Sequence, residues 1–156
     1  MDTNQILNYF KNRKFSRNIF KGVLPIDYLE SESVSKPSAY IINTGKSDTS
    51  GEHWVALLIP KYGPIEYFDS YGNKPFNNEI KRFAKKHKRK LIYNKKLIQS
   101  SKSYNCGKFS VFYLYFRLNG YTMSQTIEFF MRYYLTTNDL IINNMFNKIN
   151  NKIFKK

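Results

Sequence analysis

A single cysteine in 156 residues excludes an internal disulfide, and seven glycines and five prolines leave no Gly-, Pro- or Ser-rich linker. The chain has no internal repeat, and one domain spanning residues 1–156 is expected, large enough to bury a core without staples. The longest apolar block, Val111 to Phe116, is far too short to cross a bilayer, so no membrane partner is expected. Met1-Asp2-Thr3-Asn4-Gln5 offers no basic start followed by an apolar stretch, so a secretory leader is not expected either. One thiol without a leader fits a reducing intracellular compartment rather than secretion. Acidic residues are scarce as well: 11 against 26 Lys and Arg, for a formal charge of +15. Such a field attracts nucleic acid or another polyanion. Codon bias offers a competing origin, because Lys, Asn, Ile, Tyr and Phe, which A/T-rich codons favour, crowd the chain.

What is abundant is apolar and aromatic: 42% hydrophobic residues, with thirteen Tyr and thirteen Phe, enough for a packed core. Asn4 to about Lys14 places Ile6, Leu7 and Phe10 on one helical face. Phe15 to Leu29 reads as an irregular apolar arm broken at Pro25, and Ser31 to Ser38 as a polar loop. Strands are expected at Ala39–Asn43, His53–Ile59, Ile65–Asp69 and Lys90–Tyr93, the middle two forming a hairpin. A basic helix is expected over Asn77–His87. Long helices follow at about Cys106–Asn119, Ser124–Leu135 with Ser124 as N-cap, and Thr137–Asn150. Helix, mixed strands, then helices is an α+β order.

Cys106 is either a small buried hydrophobe or a nucleophile. A nucleophilic thiol needs a base, a group to orient the base, and donors for the oxyanion. Of two histidines, His87 lies in the solvated run Lys85-Lys86-His87-Lys88-Arg89-Lys90, whereas His53 opens an apolar strand after a glycine turn. Asp69 ends the facing strand of the hairpin and so should meet His53 across the ladder. Glu52 alternates to the opposite face and Glu66 lies inside its strand; taken alone, Asp69 would read as a turn residue. Gln99, seven residues before Cys106, could donate its amide to an oxyanion together with the Cys106 backbone N–H. A helix beginning at Cys106 would add free N–H groups and a positive dipole end, which favour thiolate. Gly107 would remove bulk beside the scissile bond.

The segments Gly51-Glu52-His53-Trp54-Val55-Ala56, Tyr67-Phe68-Asp69-Ser70-Tyr71-Gly72 and Gln99 through Cys106-Gly107 together resemble the adenovirus-protease (adenain-like) family of cysteine proteases. The SUMO and ubiquitin-like-protein proteases share the order more distantly. The resemblance spans roughly residues 20–135. It implies a permuted papain-like fold, a small mixed sheet packed against helices with the nucleophile at a helix N-terminus. It also implies Cys106 as nucleophile, His53 as general base and acid, Asp69 as its orienter and Gln99 as oxyanion donor. Trp54 is then either a shield against the imidazole or an ordinary core residue, and Asn105 a candidate for shaping the elbow. Phe20-Lys21-Gly22-Val23-Leu24-Pro25 resembles the compact leader of small viral members, including those of Polinton elements and virophages.

The function so implied is a monomeric endopeptidase, cutting capsid or core precursors after Gly-Gly or Gly-X in a virus factory, a virion, or host cytoplasm or nucleus. Alternatives are an isopeptidase for ubiquitin-like modifiers and a DNA-binding protein whose protease-like residues are structural. No metal or organic cofactor is expected. Adenovirus protease is activated by DNA and by a peptide joined through a second cysteine; this sequence has no second cysteine, so a peptide activator would have to bind non-covalently. For DNA the candidate contacts are Lys81, Arg82, Lys85, Lys86, Lys88, Arg89 and Lys90, which equally fit a solvated helix face.

Overall fold

A computed structural model describes residues 1–11, 13, 16, 18–34 and 36–153, the last five by backbone only. The expected helix end at Lys14 and the start of the arm at Phe15 lie outside the described residues. In chain order the elements are α1 (Thr3–Lys11), β1 (Phe20–Pro25), a 3-10 helix (Ile26–Ser31), β2 (Ser38–Asn43), β3 (Trp54–Ile59), β4 (Ile65–Phe68), α2 (Asn78–Lys86), β5 (Leu91–Tyr93), α3 (Cys106–Leu118), α4 (Met123–Met131) and α5 (Leu135–Ile153). The five strands lie in sequence order, β1-β2-β3-β4-β5. The central hairpins β2–β3 and β3–β4 are antiparallel and the two edge pairs parallel. The class is α+β with a mixed sheet.

Alternation along the strands divides the core between the two faces of the sheet. Ala39, Ile41, Ala56, Leu58 and Phe68 face α3 and, beyond it, residues of α1, α4 and α5. Tyr40, Ile42, Val55, Leu57, Ile59, Ile65 and Tyr67 face the 3-10 helix and the apolar side of α2, Ile80, Phe83 and Ala84. Buried on both faces, β2 and β3 read as continuous apolar runs. The helix α3 is buried over Phe109 to Leu114, as a central helix packed on several sides must be. Removing each of its rings from water is worth roughly 2–3 kcal/mol. Glu66 sits under this helix. Arg117 donates to its two carboxylate oxygens at 2.6 Å each, and the Tyr113 hydroxyl donates to it at 2.6 Å.

Three expectations are corrected. The irregular arm contains an edge strand and a 3-10 helix, because β1 takes its backbone partners from β2 in parallel register, Val23 opposite Ile41. The cap of α4 is Thr122, not Ser124. Its hydroxyl accepts from Gln125 N at 3.1 Å while the Gln125 side chain accepts from Thr122 N at 2.8 Å, a reciprocal capping box. Finally, α5 starts at Leu135, so the break between the last two helices falls at residues 132–134.

Candidate active site

The hairpin β3–β4 carries the imidazole and the carboxylate to one end of the sheet. His53 immediately precedes β3, and Asp69 immediately follows β4. Asp69 opens a turn in which its carbonyl accepts from Gly72 N and its Oδ1 from Tyr71 N, each at 2.8 Å, the self-bonding turn that favours Asp at this position. Gly72 closes the turn at φ +73°, and a β-carbon there would lie 2.6 Å from the carbonyl carbon of Lys96. Only glycine meets both conditions. Asn94, buried after β5, clips the turn from behind: it accepts from Asp69 N at 2.9 Å and donates to Asp69 O at 2.6 Å.

Fixed in this way, Asp69 Oδ1 accepts from His53 Nε2 at 2.8 Å. The other ring nitrogen is left for Cys106, which shares the cleft with the imidazole and acts on its charge. Burial works against the charged imidazole, but the Asp69 hydrogen bond and the neighbouring Cys106 outweigh it and push His53 up to about 9. Burial also opposes the thiolate. The hydrogen bonds from His53 and from the backbone N–H groups of Trp54 and Gly107 prevail, and the thiol is held below its ordinary value. The two shifts act in the same sense, each favouring the thiolate–imidazolium form of the pair. Cys106 is the first residue of α3, where the unpaired N–H groups of the first turn favour the anion. The helix is pinned against β3 by Ser110 Oγ, which donates to Trp54 O at 3.1 Å.

The structure thus brings His53, Asp69 and Cys106 together. Gln99 is fully buried in the loop before α3, bonded to the turn that follows Asp69. Its Oε1 accepts from Ser70 Oγ at 2.6 Å, and its Nε2 donates to Ser103 O at 2.9 Å and to Tyr71 OH at 3.2 Å. Asn105 occupies the N-cap position of α3 without a capping hydrogen bond from its side chain, which instead donates to Asp139 Oδ1 at 3.0 Å. Trp54 is not the ring over the imidazole. Its Nε1 donates to Met1 O at 3.1 Å and its Cδ1 abuts Gly107, whereas Tyr71 stacks on His53 at 5.2 Å between centroids. Gly107 has a second, structural reason. A β-carbon there would meet Trp54 at 3.1 Å and Met1 at 3.2 Å, so the glycine also lets α3 dock closely on these two side chains.

An open cleft of about 810 Å³ leads to the thiol. Its lining includes Val23, Leu24 and Pro25, residues of the loop 45–52, and Tyr71, Ser101, Ser103 and Tyr104. The hairpin motif pointed to Asp69 and His53; Tyr71, Asn94, Ser103 and Asp139 carried no local signal. The basic run is divided. Arg82 binds Glu30, Lys86 donates to Glu30 O at 2.8 Å, Lys81 to Phe76 O at 3.2 Å, and Arg89 to Pro60 O at 2.7 Å. Lys85, Lys88 and Lys90 are exposed. Among the described residues no group of three His, Cys, Asp or Glu is placed to hold a metal ion, and no helix is long and apolar enough to cross a membrane.

No protein-family model matches the chain. It is 28% identical over 137 residues to a protein of African swine fever virus named as a SUMO-1 cysteine protease, covering 78% of this chain and 50% of that one. It is 35% identical over 94 residues to the protease of bovine adenovirus 7, covering 51% and 46%. The chain therefore spans about half the length of these curated relatives. Among solved structures, the central domain of an uncharacterised Legionella pneumophila protein matches all of this chain and 98% of that one, with a TM-score of 0.58 and 14% identity, a likeness of fold alone. By sequence, the chain is thus similar to cysteine proteases of African swine fever virus and to adenovirus proteases.

Proposed function

We propose that this chain is a cysteine endopeptidase that matures viral capsid or core precursors by cutting after small residues of the Gly-Gly or Gly-X kind. The observation that carries the reading is His53 held between Asp69 and Cys106, with Asp69 Oδ1 at 2.8 Å from Nε2. In the proposed reaction the Cys106 thiolate adds to the scissile carbonyl. The resulting oxyanion is met by the Cys106 backbone N–H and by the Gln99 amide, whose second N–H gives up the Tyr71 hydroxyl to reach it. Collapse breaks the C–N bond as His53 gives its proton to the departing amine, leaving a thioester. His53, now neutral, takes a proton from water, and the hydroxide adds to the thioester; collapse releases the acid and restores the thiolate and imidazolium.

The substrate class follows from the resemblance, as do a reducing viral or host compartment and activation by DNA or a non-covalent peptide. An isopeptidase acting on a ubiquitin-like modifier is the second reading, favoured by the name of the African swine fever virus relative. The test is cleavage of a Gly-Gly-X reporter and of intact modifier fusions by the purified chain, with and without Cys106→Ala. Activity lost with the thiol supports the proposal, and preference for the fusions selects the isopeptidase. Cleavage that survives Cys106→Ala would remove the mechanism altogether.

A further inference from the structure

The loop from Gln99 to Asn105 holds both the proposed oxyanion donor and the residue before the nucleophile, yet it contains no regular structure of its own. Its order comes from α5. Asp139, 8% exposed on the first turns of that helix, accepts three hydrogen bonds from the loop. Ser100 N donates to its Oδ2 at 3.0 Å; Ser103 Oγ donates to its Oδ1 at 2.5 Å, as does Asn105 Nδ2 at 3.0 Å. The adjacent Asn138, 1% exposed, donates to Ile98 O at 2.9 Å. Neighbouring side chains of α5 therefore grip the loop at both ends.

The grip continues into the site. Ser103 donates to Asp139 through its side chain and accepts from Gln99 Nε2 through its carbonyl at 2.9 Å. A carbonyl only accepts, so this contact fixes which end of the Gln99 amide faces the loop. The Ser70 hydroxyl fixes the other end by donating to Oε1 at 2.6 Å. We infer that Asp139 is a positioning residue, which sets the Gln99 amide through Ser103. The inference rests on the protease reading. It adds a residue far along the chain whose carboxylate acts on the oxyanion donor without touching the reacting atoms.

The experiment is a double-mutant cycle on kcat for Gly-Gly-X cleavage, using Asp139→Ala, Gln99→Ala and the pair, at a temperature well below unfolding. Loss of one oxyanion donor costs on the order of 100-fold in kcat, and an ångström of misplacement costs a similar factor at most. Asp139→Ala should then lower kcat about 10- to 100-fold, and the double variant should be no worse than Gln99→Ala by more than about 3-fold. Multiplying effects, or Asp139→Ala within about 2-fold of the parent, would overturn the inference, because a scaffold role alone has no reason to vanish when Gln99 is gone. If Asp139→Ala does not fold, Asp139→Asn takes its place in the same cycle. It keeps an acceptor for Ser103 and Asn105 but sets a donor against Ser100 N–H, and the same non-additivity is expected. Alkylation of Cys106 needs no substrate and separates the two failures. A parent chain with an unreactive thiol and no cleavage defeats the protease reading, whereas a reactive, active parent with additive variants defeats only the role of Asp139.

Discussion

Two polar regions of this molecule are built on opposite terms. Around Cys106 the polar side chains are few and buried: Asp69, Ser70, Asn94, Gln99 and Asp139 are each at most 8% exposed, and their hydrogen bonds link one to the next. Along α2 and the turn after it the charges are many and mostly exposed, several of them held by one or two hydrogen bonds to a neighbouring loop. An exposed charge exchanges one hydrated state for another at little net gain. A buried polar group must be partnered or its desolvation is uncompensated. The local density of charge is therefore a poor guide to where chemistry resides, and the few buried polar groups are a good one.

The comparison is broken most severely at Asp69. Without the carboxylate, His53 loses the hydrogen bond that holds its Nε2 proton and orients the ring. Asp69→Ala should lower kcat/KM by on the order of 10³- to 10⁴-fold; Asp69→Asn, which keeps an acceptor oxygen, should lose less. The pH profile carries the sign. His53 is raised to about 9, so the contribution of its charged form to stability is complete below the ordinary histidine range near 6.5. It disappears as pH rises through about 9. The alkaline limb of kcat/KM should fall near that value in the parent and move toward the ordinary range in Asp69→Ala. An alkaline limb unmoved by the substitution would separate Asp69 from the imidazole.

Next in size is Gly72→Ala, which disturbs the turn without touching a titrating group. The left-handed φ and the close approach to Lys96 together should cost about 2–4 kcal/mol. For a chain of this size that is a fall of roughly 6–12 °C in Tm by calorimetry. A stability unchanged by Gly72→Ala would mean the Asp69 turn is softer than its hydrogen bonds indicate.

This turn also marks what the sequence could convey. Asp69 and His53 were readable because a hairpin brings the end of one strand beside the start of another, a relation set by local pairing. The strand β1 was not, since Gly22 and Pro25 argue against a strand and only pairing with β2 supplies the reason for one. Of the two readings left open for Trp54 the structure has the core one, because strand alternation turns Trp54 toward α3, while the Asp69 turn brings Tyr71 back over the imidazole. Asp139 had no signal at all. Its partners lie 34 to 39 residues away on a loop without periodicity, and only tertiary packing unites them.

The smallest effects belong to the basic surface. There the side chains that dock α2 and its following turn, Arg82, Lys86 and Arg89, differ from Lys85, Lys88 and Lys90, which project outward. If the protease reading extends to a DNA activator, the second set is where phosphates would be met. Replacing these three lysines by serine should leave stability within about 0.5 kcal/mol. The same change should reduce the slope of log K against log salt for a short duplex by roughly 2 to 3, near 0.9 for each phosphate no longer neutralised. Titration of labelled duplex across salt measures that slope directly. An unchanged slope would assign these lysines to solvation. The basic run would then matter only through Arg82, Lys86 and Arg89, which fasten α2 and its turn to the loops beside them.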